Sequence, residues 1–120
     1  MNSKLKGKTG ELEAAHYLSK LFKLPVIRGC QFHGGPDSPD IVGLDGLHVE
    51  VKRDNHLNIN KAVSQSVNDC AKNSVPIVLH RKDRENWMIT VRADDITRLC
   101  EKINILVKRG HENELSTMPF

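Results

Sequence analysis

Apolar positions recur at helical spacing through residues 9–22, where Ala14, Ala15, Leu18, Leu21 and Phe22 form one stripe and predict an amphipathic helix. Leu24-Pro25 ends it, because the residue before a proline avoids helical backbone. Residues 26–28 read as a short strand. Residues 29–39 carry three glycines and two prolines and read as a loop. A second strand is expected at 41–44, and Asp45-Gly46 is a two-residue hairpin signal leading into a third. That third strand, Leu47–Arg53, alternates cleanly: Leu47, Val49 and Val51 point one way, and His48, Glu50 and Lys52 the other.

Beyond a polar loop, Asn58 or Asn60 is placed to cap a helix reaching Lys72, with Val63, Val67, Cys70 and Ala71 as its buried stripe. Strands at 77–80 and 87–91 flank the charged turn 81–86. Asp94 is placed to cap a third helix, with Ile96, Leu99, Cys100 and Ile103 inward. Lys108-Arg109-Gly110 reads as its stop, leaving 111–120 as a loose tail. The order α-β-β-β-α-β-β-α predicts an α/β protein, a mixed β-sheet flanked by helices, as one domain over residues 1–110.

Composition narrows the field only a little. A chain of 120 residues fits one domain with a core of its own. No apolar run approaches a membrane span, and the polar, basic start lacks the apolar stretch of a signal peptide. The expectation is a cytoplasmic protein without membrane contact. Cys30, Cys70 and Cys100 are widely spaced and read as reduced, mostly buried small hydrophobes, with no zinc-type spacing. The net charge of +3 does not by itself mark a nucleic-acid partner. Its distribution says more: Lys4, Lys6 and Lys8 form a basic arm, and Arg81, Lys82 and Arg84 a second cluster, both suited to phosphates or simply to water.

The chemistry concentrates around the hairpin. The hairpin is expected to bring Pro39-Asp40 before it beside Glu50-Val51-Lys52 after it, and Glu50 and Lys52 share a strand face. Carboxylates of this kind suit Mg²⁺, which can activate water and offset charge on a phosphate, and a lysine beside them adds fixed positive charge. Spacing alone leaves open an exposed strand face with ordinary charges. Glu11 adds to the pattern, because Glu11, Ala15, Leu18 and Phe22 lie in one helical stripe that aims the acid at the sheet. An acid there needs a partner; the bland alternative is a helix-start carboxylate near solvent.

These blocks resemble the archaeal-type Holliday-junction resolvases, members of the PD-(D/E)XK nuclease superfamily. Lys6-Gly7-Lys8-Thr9-Gly10-Glu11 looks like the family's opening. Pro25-Val26-Ile27-Arg28, Pro39-Asp40-Ile41-Val42 and His48-Val49-Glu50-Val51-Lys52 follow in the family's order. Pro76-Ile77-Val78-Leu79 and Trp87-Met88-Ile89-Thr90-Val91 look like its later strands. The resemblance implies a restriction-endonuclease-like fold and a Mg²⁺-dependent DNA endonuclease, with Mn²⁺ able to substitute. Glu11, Asp40 and Glu50 would hold the metal, and Lys52 would position or polarise the attacking water. It also implies a homodimer that cuts two strands of branched DNA and leaves 5′-phosphates, acting in the cytoplasm or, for a phage-encoded chain, in the host's. The loop 29–39 departs from the family pattern in its length and its glycine and proline content, and Ser38 stands where the family places a serine near it.

Smaller expectations attach to DNA contact at Lys4, Lys6, Lys8, Arg28, Ser38, His48, Arg53 and Lys61. Lys61, Gln65, Asn68 and Lys72 form a polar stripe on the second helix, and Gln65 is placed either there or reaching the active site. Trp87 reads as core or as a base-stacking aromatic. Nucleases of the same fold that act on nicked, flapped or supercoiled DNA, and a catalytically inactive DNA-binding module, remain alternatives.

Overall fold

A computed structural model describes residues 3–29 and 39–116, with side chains from Gly7 onward. The elements run in the predicted order. Helix α1 is Ser3–Phe22, strand β1 Ile27–Arg28, strand β2 Ile41–Val42 and strand β3 Leu47–Arg53. Helix α2 is Ile59–Asp69, strand β4 Val75–Arg81 and strand β5 Met88–Thr90; a single 3-10 turn, Ala93–Asp95, then leads into helix α3, Ile96–Ser116. Among the described residues no helix is long and apolar enough to cross a membrane.

Three of the helix bounds correct the sequence reading, and the strands β2, β4 and β5 also differ by one to two residues at their ends. Helix α1 starts at Ser3, so Lys4, Lys6 and Lys8 lie in helical backbone rather than on an extended arm. Helix α2 ends at Asp69 rather than Lys72, and its buried pole is Ala62 and Ser66, with Val63 and Val67 at its flank and Ala71 exposed. Of the two candidate caps, Asn58 takes the position, its side chain accepting from the Lys61 amide at 3.1 Å. Helix α3 continues through Gly110, so residues 111–116 are helix and not tail; residues 117–120 lie outside the described part. Gly110 is no stop signal but a point of close approach. A Cβ there would overlap the Phe22 carbonyl oxygen at the end of α1. Around it, Asn113 Nδ2 donates to the Lys23 carbonyl at 3.0 Å and Lys23 Nζ meets Glu114 at 2.6 Å.

The strands form two sheets. β1 and β2 pair antiparallel, Ile27 opposite Val42. β3 pairs parallel with β4, Glu50 opposite Val78, and β4 pairs antiparallel with β5. The expected β2–β3 hairpin ladder is absent. Leu47 N–H does close a turn onto the Leu44 carbonyl at 3.1 Å, and Gly46 has φ +90°, but Asp45 does not take the positive φ of the primed hairpin turn. The chain therefore swings β3 away from β2 and toward β4, joined through α2 as a parallel crossover requires.

The apolar face of β3 and β4 (Leu47, Val49, Val51, Val75, Ile77, Leu79) packs with Ala14, Ala15, Leu18 and Phe22 of α1 and with Leu99 and Leu106 of α3. Ile96 and Cys100, expected inward, are exposed, as is Leu21. Cys70 is half-buried, its thiol donating to the Ser74 carbonyl at 3.3 Å. Helix α2 covers the opposite face, where Ser66 Oγ donates to the Ile77 carbonyl at 3.1 Å. The result is a mixed α/β architecture with sheet between helices.

Candidate active site

Two-sided cover makes β3 unusual for a strand with alternating sequence. Its first five residues are all buried, so His48 and Glu50 are enclosed instead of lining a wet face. Glu50 is 5% exposed. An enclosed carboxylate must be hydrogen-bonded or it is costly. Gln65 of α2 supplies the bond, its Nε2 donating to Glu50 Oε1 at 2.9 Å. Lys52 Nζ stands 3.9 Å from the same oxygen, and His48 Nε2 stands 3.8 Å from Oε2. The reading of Glu50 as one of several ordinary charges on an exposed face is thereby excluded.

Asp40 arrives by a different route. It precedes β2 rather than lying on a strand hydrogen-bonded to β3, yet it is buried and its Oδ2 accepts the Val51 amide at 2.8 Å. This side-chain bond joins the two sheets where the ladder is missing. Glu11 projects from the third turn of α1, partly buried, and its Oε2 meets Arg28 Nε at 2.6 Å. The acid that the helical stripe aims inward thus finds a guanidinium from β1.

These groups share one cavity of about 480 Å³, lined by Glu11, Asp40, Glu50, Lys52, Arg53 and Asp54 together with Gly7 and Val51. Lys52 and Asp54 also border an adjoining cavity of about 410 Å³, whose wall includes His56, Asn58, Lys61 and Gln65. Arg53 stays firmly protonated: desolvation works against its charge, but Asp83 and Glu13, both bonded to it, outweigh that. The donor set offered by Glu11, Asp40 and Glu50 is all oxygen, which fits a hard divalent cation. In the present arrangement at least one oxygen of each carboxylate is engaged by a protein donor. Among the described residues no three His, Cys, Asp or Glu side chains close round a single point.

The remaining candidates divide. Gln65 reaches Glu50, as one of its two readings required. Lys8 and Lys61 are exposed. Arg28 and Arg53 are committed to Glu11 and to Glu13 with Asp83. His48 is only 3% exposed, so the expectation that it touches DNA is overturned: α2 covers the face it occupies. Ser38 and the side chains of Lys4 and Lys6 lie outside the described residues, as does most of the loop 29–39. Trp87 is half-buried against the core beside Tyr17, with the Arg81 guanidinium 5.4 Å above its ring. The sequence reading missed Arg28 as the partner of Glu11, and Asp54 at the cavity rim. The signal for Arg28 was that an acid on an apolar helical stripe calls for a cation from the strand packed against it. Compared with protein-family models, with curated proteins and with solved structures, the chain gives no match.

Proposed function

We propose that this chain is a metal-dependent endonuclease that hydrolyses phosphodiester bonds in DNA, with a four-way junction as its preferred substrate. One observation carries the reading: Glu11, Asp40, Glu50 and Lys52, from α1, the approach to β2, and β3, border a single cavity. A restriction-endonuclease-like core, to which we assign the fold, is supported by the β3–α2–β4 unit with α1 packed on β3. Glu11, Asp40 and Glu50 would hold Mg²⁺, with Mn²⁺ able to substitute. A divalent ion held there supplies an activated water and offsets charge on the phosphate.

The chain's own residues do the rest. Lys52 brings its ammonium next to Glu50, where it orients the incoming water and faces the negative charge that develops on the phosphate. Gln65 holds Glu50 Oε1. Val51 N–H does the same for Asp40. Arg28 compensates Glu11, which lets three acids approach one another without a prohibitive like-charge cost. The exposed Lys8 and Lys61 are suited to flanking phosphates. A two-fold pair of such chains, which the resolvase resemblance implies, would cut both strands of a junction at related positions.

The test is incubation with a synthetic four-way junction, a flap and a linear duplex of matching sequence, each with Mg²⁺ and with EDTA. Paired symmetric nicks confined to the junction, abolished by EDTA, are the expected result. Equal cutting of all three would shift the reading to a nuclease of the same fold with another substrate. No cutting with any divalent ion would leave a DNA-binding module.

A further inference from the structure

His48 is a buried polar group that the proposed chemistry leaves unused. Its Nε2 is closed off from solvent and has no hydrogen-bond partner among the described residues. Across the ladder it faces Pro76, which has no polar side chain to offer. The nearby acceptor is Glu50 Oε2, at 3.8 Å, too long for a hydrogen bond. A nitrogen shut away without a partner carries a desolvation penalty that native proteins rarely leave standing. The asymmetry at Glu50 is complementary: Oε1 is held by Gln65 and approached by Lys52, whereas Oε2 lies near His48 Nε2.

We propose that His48 is a positioning residue for Glu50. Its Nε2–H donates a hydrogen bond to Glu50 Oε2 once a divalent cation draws the carboxylate into its binding position. Gln65 and His48 then each hold one of the two carboxylate oxygens, and lone pairs remain for the ion. The rotation required is a few tenths of an ångström to about one ångström at Oε2, within reach of a glutamate side chain whose backbone is fixed in the ladder. His48 touches neither DNA nor ion in this scheme; it acts through Glu50, as groups behind metal ligands commonly do. The inference rests on the metal-site reading given above.

The experiment uses the full chain without DNA. Mg²⁺ affinity is measured by calorimetry for the wild type, His48→Met and His48→Gln, with circular dichroism to confirm folding. Methionine has similar bulk and no donor; the glutamine amide can sit where Nε2 sits. The expected result is a loss of about tenfold or more in Mg²⁺ affinity for His48→Met, with His48→Gln within about threefold of the wild type. In parallel, nitrogen-15 spectra of the wild type should show the His48 proton on Nε2 and its signal moving as Mg²⁺ is added. Equal Mg²⁺ affinity in the wild type and a folded His48→Met overturns the inference while leaving the metal site standing. If His48→Met does not fold, a His48 proton on Nδ1, or an Nε2 signal unmoved by saturating Mg²⁺, overturns it. A wild type that binds no Mg²⁺ removes the metal-site reading, and the inference with it.

Discussion

Glu11 and Glu13 share a helix and a chemistry but not an environment. Glu11 pairs with Arg28 at the rim of the acidic cavity. Glu13 Oε1 sits between Arg53 at 3.3 Å and Arg81 at 3.4 Å, outside that cavity. Glu11→Gln is expected to slow single-turnover cleavage by about 100-fold or more, because it removes charge at the reacting centre. Glu13→Gln is expected to change it by less than about threefold and to lower stability by less than about 1 kcal/mol, since its partly exposed pairs are screened by solvent. Similar losses in both variants would reduce Glu11 to a structural acid. His80 makes a second case at this scale. Burial lowers its pKa below the ordinary histidine value, and its Nε2 meets Thr90 Oγ1 at 2.8 Å. The unfolded chain therefore binds the proton more readily, so the stability due to neutral His80 is full above about pH 6.5 and is lost as the pH falls through the lower folded value. Urea denaturation across that range should show the wild type losing more stability on acidification than His80→Gln; parallel curves would contradict the assignment. Of these residues, the aim of Glu11 was readable from helical spacing, whereas the burial of His48 and Glu50 was not, because nothing local announces that α2 will cover their face.

At the scale of elements, the seat of α3 on α1 turns on Gly110. Gly110→Ala would gain about 1 kcal/mol of helix propensity. It would also drive a methyl group into the Phe22 carbonyl, and overpacking of that kind costs about 1–3 kcal/mol. The backbone cannot yield as a flexible side-chain tip would, so the steric term is expected to win and the urea midpoint to fall. An unchanged or raised midpoint would show that the two helix ends are not in contact. The same glycine explains why residues 111–116 were read as tail: Lys108-Arg109-Gly110 is a sound stop signal locally, and only the crossing with α1 gives the glycine another purpose. Asp45-Gly46 failed in a parallel way. Asp45 keeps its φ negative, so a turn forms without the twist that would carry β2 and β3 into a ladder. Helix α2 was nearly right in extent, but its buried pole fell on Ala62 and Ser66, because small residues let the helix lie close to β4 while valines serve its flank.

For the molecule as a whole, the acidic cavity is a place where folding leaves charge concentrated. Glu11, Asp40, Glu50 and Asp54 border it, offset by Lys52, Arg53 and Arg28. A divalent ion that binds only the folded chain stabilises it by mass action, about 1.4 kcal/mol at ten times its dissociation constant. Mg²⁺ should accordingly raise the thermal midpoint by a few degrees, and EDTA should return it to the metal-free value without unfolding the protein, because each acid already has a protein partner. Asp40→Asn combined with Glu50→Gln should abolish the Mg²⁺-dependent rise while leaving a folded chain, since both amides keep an acceptor oxygen for Val51 N–H and Gln65. A midpoint indifferent to Mg²⁺ in the wild type would argue that no ion is held there.

The order of helices and strands, the extent of β3, a helix cap at Asn58 or Asn60 and the inward aim of Glu11 were determined by the sequence alone. They follow from short-range rules: residue periodicity, capping chemistry and the alternation of a strand. Tertiary structure decided which strand pairs with which, that Asp40 reaches β3 through its side chain rather than through a ladder, and that His48 is sealed beside Glu50 while Arg28 turns to Glu11. Those outcomes depend on contacts between positions far apart in the chain. Local pattern specifies what each element presents on its faces, but only the packing of all of them determines what each face meets.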